Sequence, residues 1–379
     1  MRWLHASLLV LPLLACRHTS AREPAAIRSD ALDEVERGTT PAIVIATIHG
    51  DDIAIESAGR ADLREARGVG PDTAFAVFSI TKLFTATAVL QLHERGLLDI
   101  DAPVREYLGD ELAIDEPAGR PITARDLLRH GSGLGNPSVW ALARPWQEPR
   151  PPCRELLAQL FAAHGRKLRY VPGRGQRYSN LGYLVLGRLV EVVDGRRYED
   201  YVQQEILDVL GMTRSGFDWG PLLDDAATGH SRKGELFTRL AKRKANPAVF
   251  GEPLPEWETT VPFHIDGSAY GGLITSANDL AKFAAAQLGE GSYAGRRILS
   301  PASIELMRAV QRDDRGKRLD FALGWHTGQL DGERYYNHMG KGGGYRPEIR
   351  LWPGRDYGVV ILTNLTKFDP RPLSQQVPP

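Results

Sequence analysis

Strand-forming segments at the two ends of the chain, with a long helical stretch between them, restrict the fold more than any other feature. Ala42 to Ile48 is rich in β-branched residues and runs into His49-Gly50-Asp51-Asp52, a turn signal, so Ile53 to Ser57 reads as the return strand of a hairpin. At the far end Phe321 to Thr327, Arg334 to His338, Glu348 to Trp352 and Tyr357 to Thr363 carry the same strand character. Between them lie helical patterns at Ile80 to Arg95, Ala124 to Arg129, Glu155 to His164, Leu181 to Val193, Tyr198 to Val209, Ala277 to Gln287 and Pro301 to Val310. Strands from both ends cannot form one sheet unless the termini come together. This predicts an α/β unit built from both chain ends plus an all-α insert. The sheet is expected to be antiparallel and flanked by helices. The expected division is 31–78 with 266–366 for the α/β domain and 79–265 for the helical domain. Residues 231–265 read as irregular, and 367–379 as an irregular tail.

The N-terminus reads as an address. Residues 1–15 combine Arg2 with an apolar run from Leu8 to Leu14, too short to span a bilayer. Leu13-Leu14-Ala15-Cys16 resembles the lipobox of bacterial lipoproteins, in which the Cys becomes the lipidated first residue. Residues 16–30 would then be a lipidated N-terminus and tether. The expected location is the bacterial cell envelope, with a lipid anchor at Cys16 holding the protein to a membrane and facing the periplasm or exterior.

Charge and motif content remove several classes of function. Forty-seven basic residues balance 47 acidic ones, which argues against a nucleic-acid binder. With only two cysteines, Cys16 and Cys153, no disulfide framework or zinc ribbon can form. There is no HExxH, no Walker A loop, no GxGxxG after a strand and no GxSxG elbow. No metal, no cofactor and no obligate protein partner is expected. Between Arg232 and Lys244 six basic residues face one acid, Glu235. That stretch reads as a solvated loop or as a contact for a polyanion or lipid headgroup.

Lysine is scarce, nine against 38 Arg, so each one invites a question. Ser79-Ile80-Thr81-Lys82 is the one SxxK in the chain. It places Lys82 one turn on from Ser79, on the same helix face. A Ser hydroxyl needs a base to become a nucleophile, and a Lys whose pKa is lowered by burial can be that base. The alternative is Ser79 as a helix N-cap, although a cation at Lys82 would then oppose the helix dipole. Tyr178-Ser179-Asn180 offers a phenol to relay a proton and an amide to orient a substrate; Tyr335-Tyr336-Asn337 matches the same pattern within a strand and reads as a decoy. His338-Met339-Gly340-Lys341-Gly342-Gly343-Gly344-Tyr345 closes a strand with enough glycine to let backbone approach a ligand. An edge-strand N–H there could complete an oxyanion hole with that of Ser79.

SxxK, YxN and a strand-borne triplet in this order resemble the serine β-lactamase and penicillin-binding-protein superfamily. The text around them is similar to its class C branch, which includes class C β-lactamases, family VIII esterases and related peptidases. Phe78 to Ala86, Asp126 to Leu134, Tyr178 to Tyr183 and Gly271 to Leu280 carry the likeness, which runs from about Thr40 to Asn364. The resemblance implies a β-lactamase/transpeptidase-like fold and acyl transfer through Ser79, with Lys82 and Tyr178 sharing acid and base work. Asn180, His338, Gly340 and Lys341 would bind substrate, Lys341 through its backbone N–H.

Three departures stand out. His338-Met339-Gly340 replaces the family's Lys-Thr-Gly, which disfavours carboxylate-bearing substrates, because imidazole is largely neutral near pH 7. Protonation of His338 on acidification would then favour them. No counterpart of the family's C-terminal helix is expected after Asn364. The loop containing Pro145 and Pro149 to Pro152 is stiff, with Trp140 and Trp146 as candidate substrate walls. The expected substrate is a small acyl ester or a D-amino-acid peptide or amide. A β-lactam is the alternative, and a non-catalytic binding lipoprotein the second.

Overall fold

The computed structural model of the chain describes residues 32–376, apart from 66, 118, 137, 138 and 165. Cys16 and the expected signal and tether lie outside the described residues. Six strands form the main sheet: β1 (Ala42–His49), β2 (Asp52–Gly59), β3 (His326–Leu330), β4 (Glu333–Met339), β5 (Glu348–Trp352) and β6 (Tyr357–Thr363). Their order across the sheet is β3-β4-β5-β6-β1-β2, and every pairing is antiparallel. The two chain ends meet where β1 pairs with β6, with Ile43 opposite Thr363. Strand alternation divides the sheet into two apolar faces. Val44, Ala46, Ile48, Val360 and Leu362 face the main core, while Ile43, Ile45, Val359 and Ile361 face the other side.

Four helices position the site: α1 (Thr81–Glu94), α2 (Asn180–Asp194), α3 (Ala277–Leu288) and α4 (Pro301–Arg308). α3 packs on β1 and β6, and α1 is enclosed by α2, α4 and the short turn Ser268–Gly271. The approach of α2 to that turn is close. A Cβ on Gly187 would lie 2.4 Å from the Cβ of Ala269, so a Gly that costs about 1 kcal/mol in a helix interior is what the packing requires.

The elements depart from expectation in four places. The expected strand from Phe321 to Thr327 begins only at His326, because Ala322 N–H bonds to Trp325 C=O in a tight turn with Gly324 at φ 94°. The helix expected from Tyr198 to Val209 is interrupted by a π-helical segment, Gln203–Leu207. Residues 231–265 are not irregular: strands Gly229–Arg232 and Trp257–Thr260 pair, and helix Leu236–Lys242 lies between them. The tail is not irregular either. It holds the short helix Arg371–Ser374, and Phe368 and Leu373 cover the outer sheet face together with Val35. No described helix is long and apolar enough to cross a membrane.

Candidate active site

Ser79 is the exception in a buried run. From Thr73 to Leu92 every other residue is buried, and Ser79 alone is partly open. It sits in a 3-10 turn, Phe78–Ile80, immediately before α1. Phe78 has φ 44°, a backbone region that a bulky aromatic residue occupies only when its surroundings hold it there. The helix N-cap is Ile80, with no side-chain cap. The reading of Ser79 as a cap is therefore wrong: its hydroxyl instead accepts a hydrogen bond from Lys82 Nζ at 3.3 Å.

Lys82 is fully buried. Its Nζ also donates to the carbonyl of Tyr270 at 2.6 Å and lies 4.9–5.5 Å from the ring centroids of Tyr178, Tyr183 and Tyr270. Among the described residues no carboxylate pairs with it. Burial therefore holds its pKa well below the usual lysine range. Tyr178 hydrogen-bonds Ser79, and burial of the phenol pushes its pKa above the usual range despite that bond.

Ser179, not Asn180, caps α2, accepting from Gly182 N–H at 3.0 Å. This frees the Asn180 amide from capping. Asn136 fixes the residue through the backbone, accepting from Asn180 N–H and donating to the carbonyl of Tyr178 at 2.8 Å. Asn180 Oδ1 is buried without a hydrogen-bond partner among the described residues, and Asn180 lines a cavity of about 100 Å³. Ser79, Phe78, Trp140, Tyr270 and Lys341 border the same cavity. Trp146 does not; it borders a separate cavity. The Tyr335-Tyr336-Asn337 decoy is apart from Ser79, with Asn337 bonded to Glu348.

The strand beside Ser79 is not an edge, as expected, but the second strand of the sheet. β3 pairs with β4 only as far as Asn337, so the end of β4 outruns its neighbour and faces the turn holding Ser79. Gly340 N–H bonds back to Pro347 C=O at 2.9 Å. Alternation along an extended chain then turns the Lys341 N–H the other way. The approach is backbone to backbone: a Cβ on Gly340 would lie 2.3 Å from the carbonyl oxygen of Val77. Gly340→Ala is expected to cost about 1–3 kcal/mol through overpacking and to displace the strand from Ser79. Thermal melting should show a modest loss, and ester hydrolysis a much larger one.

His338 is buried, with Nδ1 3.1 Å from the carbonyl of Met339. It belongs to a cluster that sequence reasoning missed. His326 lies 5.2 Å from His338 between ring centroids, and His130 lies 4.4 Å from Tyr178. His130 Nδ1 accepts from Ser179 N–H at 3.2 Å, which fixes a neutral tautomer. Burial, aided by the nearby Lys82, holds all three below the usual histidine range, His326 at about 4. The expectation that His338 gains charge on mild acidification is therefore corrected. His130 stands in the quoted stretch Asp126 to Leu134, but nothing near His326 in the sequence marks it. No described group of His, Cys, Asp and Glu is arranged to hold a metal.

A partly open serine beside a fully buried lysine lies at the end of an antiparallel sheet, and the chain belongs to the Beta-lactamase family, whose model matches residues 29–376. It is 29% identical over 310 residues to penicillin-binding protein 4 of Amycolatopsis lactamdurans, covering 79% of this chain and 75% of the relative. The octameric penicillin-binding protein homologue of Pyrococcus abyssi superposes with a TM-score of 0.75 at 25% identity, covering 93% and 75%. The D-amino acid amidase of Ochrobactrum anthropi gives a TM-score of 0.69 at 21% identity, covering 90% and 91%, a likeness of fold.

Proposed function

We propose that the protein is a serine hydrolase that forms an acyl-enzyme at Ser79 on small acyl esters or D-amino-acid peptides and amides. The observation that carries this is the fully buried Lys82, without a carboxylate partner and 3.3 Å from the Ser79 hydroxyl. As a neutral amine it takes the Ser79 proton while Oγ bonds to the substrate carbonyl carbon. Tyr178, kept protonated, is placed to give its proton to the leaving group as the carbonyl–leaving-group bond breaks. Environments that push two groups' pKa values apart in this way divide base from acid. The phenol recovers its proton from Lys82, and water then releases the acyl group by the reverse sequence. The N–H groups of Ser79 and Lys341 are assigned to the developing oxyanion.

The small cavity, and the neutral His338 where the resemblance implies a Lys, support substrates without a carboxylate. Penicillin-binding and amidase relatives bring the peptide and amide option. Lys341 on the cavity border favours β-lactams as the second reading. A fluorophosphonate probe followed by peptide mapping tests the first step: a label anywhere but Ser79 would overturn it. A panel of p-nitrophenyl esters, D-amino-acid anilides and nitrocefin ranks the substrates.

Two further results are expected. The ratio of kcat/KM for nitrocefin to that for a neutral ester stays flat from about pH 5 to 8, where an ordinary His titrates, because His338 stays neutral. His338→Lys raises the same ratio about fivefold to tenfold, the difference between a charged and a neutral hydrogen bond. The envelope location is proposed on residues 1–16 alone: Cys16→Ser should replace salt-resistant membrane association by one that high salt releases.

A further inference from the structure

Five large apolar side chains stand exposed among the described residues, and two of them share one turn of helix. Leu236 is 68% exposed and Leu240 46%, four residues apart on Leu236–Lys242. Thr238, Ala241 and Ala245 are buried and hold this segment to the body of the protein. Exposed Lys233, Arg239, Arg243 and Lys244 surround the two leucines.

The other two cations of the stretch are already engaged. Lys242 pairs with Glu258 at 2.6 Å, and Arg232 lies 3.5 Å from Glu256 and over the ring of Trp257. Among the described residues no carboxylate lies within salt-bridge distance of Lys233, Arg239, Arg243 or Lys244. An apolar pair ringed by unneutralised cations is costly in water and matches the interface of an anionic bilayer, where apolar side chains enter the acyl boundary and cations meet headgroups.

Residues 34–39 pass the same place. Arg232 donates to the carbonyl of Gly38 at 2.7 Å. Glu34 and Thr39 border the groove that Leu236 also borders, together with Phe368 and Leu373. Glu34, Gly38 and Thr39 therefore lie beside this helix.

We propose that the exposed face of Leu236–Lys242, with Lys233, Arg243 and Lys244, is a docking surface for an anionic lipid bilayer. It orients the body of the protein on the membrane, a role separate from that of Ser79 and independent of any lipid on Cys16.

The test uses the full chain carrying Cys16→Ser, sedimented with vesicles of phosphatidylglycerol and phosphatidylcholine or of phosphatidylcholine alone. Binding is expected to favour the anionic vesicles and to weaken as salt is added. Arg239→Gln, Arg243→Gln and Lys244→Gln together should lower the partition coefficient about a hundredfold, near fivefold per charge. Leu236→Ser with Leu240→Ser should lower it as well. Both variants should keep wild-type melting temperature and ester hydrolysis, which separates a lost surface from a lost fold. Equal binding to both vesicle types, or variants that sediment like the parent, would overturn the proposal. Retention on heparin without vesicle binding would reassign the patch to a soluble polyanion and equally overturn it.

Discussion

Ser79→Ala abolishes covalent labelling and lowers ester hydrolysis by roughly 10⁴-fold or more, the scale on which a serine nucleophile's loss is felt. Stability falls by about 1–3 kcal/mol, through the hydrogen bonds that buried Lys82 and Tyr178 lose rather than through a lost cap. The second expectation follows from the structure. A capping Ser would cost about 1 kcal/mol, but Ile80 occupies the cap position and the Ser79 hydroxyl bonds to no helix N–H. Calorimetry and probe labelling on the same preparation check both. A variant that hydrolyses esters at the parental rate would remove Ser79 from the chemistry.

Lys82→Met is expected to lose activity by about 10²–10⁴-fold, the usual contribution of a general base, and to melt at a higher temperature than the parent. The two effects share one cause. Burial lowers the pKa of Lys82 in the folded protein, whereas the unfolded amine titrates near its ordinary value of 10.5. Between those two pKa values the unfolded chain binds the extra proton, so stability rises with pH across that window. The stability is fully present above about pH 10.5 and is lost as pH falls through the folded pKa. Near neutrality the parent therefore carries a penalty that a Met of similar shape does not. The alkaline rise in stability should be absent from the variant. In the parent, kcat/KM falls on acidification as Lys82 gains its proton. A Met variant that melts lower, with the same alkaline slope as the parent, would mean that Lys82 is charged in the folded state.

Local pattern carries the parts of this molecule that local physics decides. Apolar spacing marks α1, and β-branched runs mark β1 and β6, because so many apolar side chains fit only the interior. The Ser79–Lys82 pair is legible since one helical turn brings the two residues together. The rest of the pocket is assembled by tertiary packing. Tyr270, whose carbonyl holds Lys82, and His326, which backs His338, sit far away in sequence in segments whose local pattern signals a turn and a strand end. The false strand start at Phe321 has a visible cause in hindsight: Gly324, at positive φ, would place a Cβ 2.9 Å from that of Ala86. The tail helix is not legible because four residues with a Pro among them show no periodicity; buried Leu373, with Phe368 just before the helix, decides the outcome.

The seam between β1 and β6 governs when this protein can finish folding. Synthesis delivers residues 42–59 long before residues 357–363, so the N-terminal hairpin waits with one edge unpaired until its partner strand emerges. Pairings between such remote partners are slow to form, since loop closure must precede any gain from contact. The helical middle can condense early, but the sheet cannot close. Closing the sheet requires a strand to enter between β5 and β1, and until it does the open edge of β1 is a template for a second chain. Nascent molecules that stall before Tyr357 are therefore the ones expected to aggregate, and a chaperone that shields residues 42–49 would protect them.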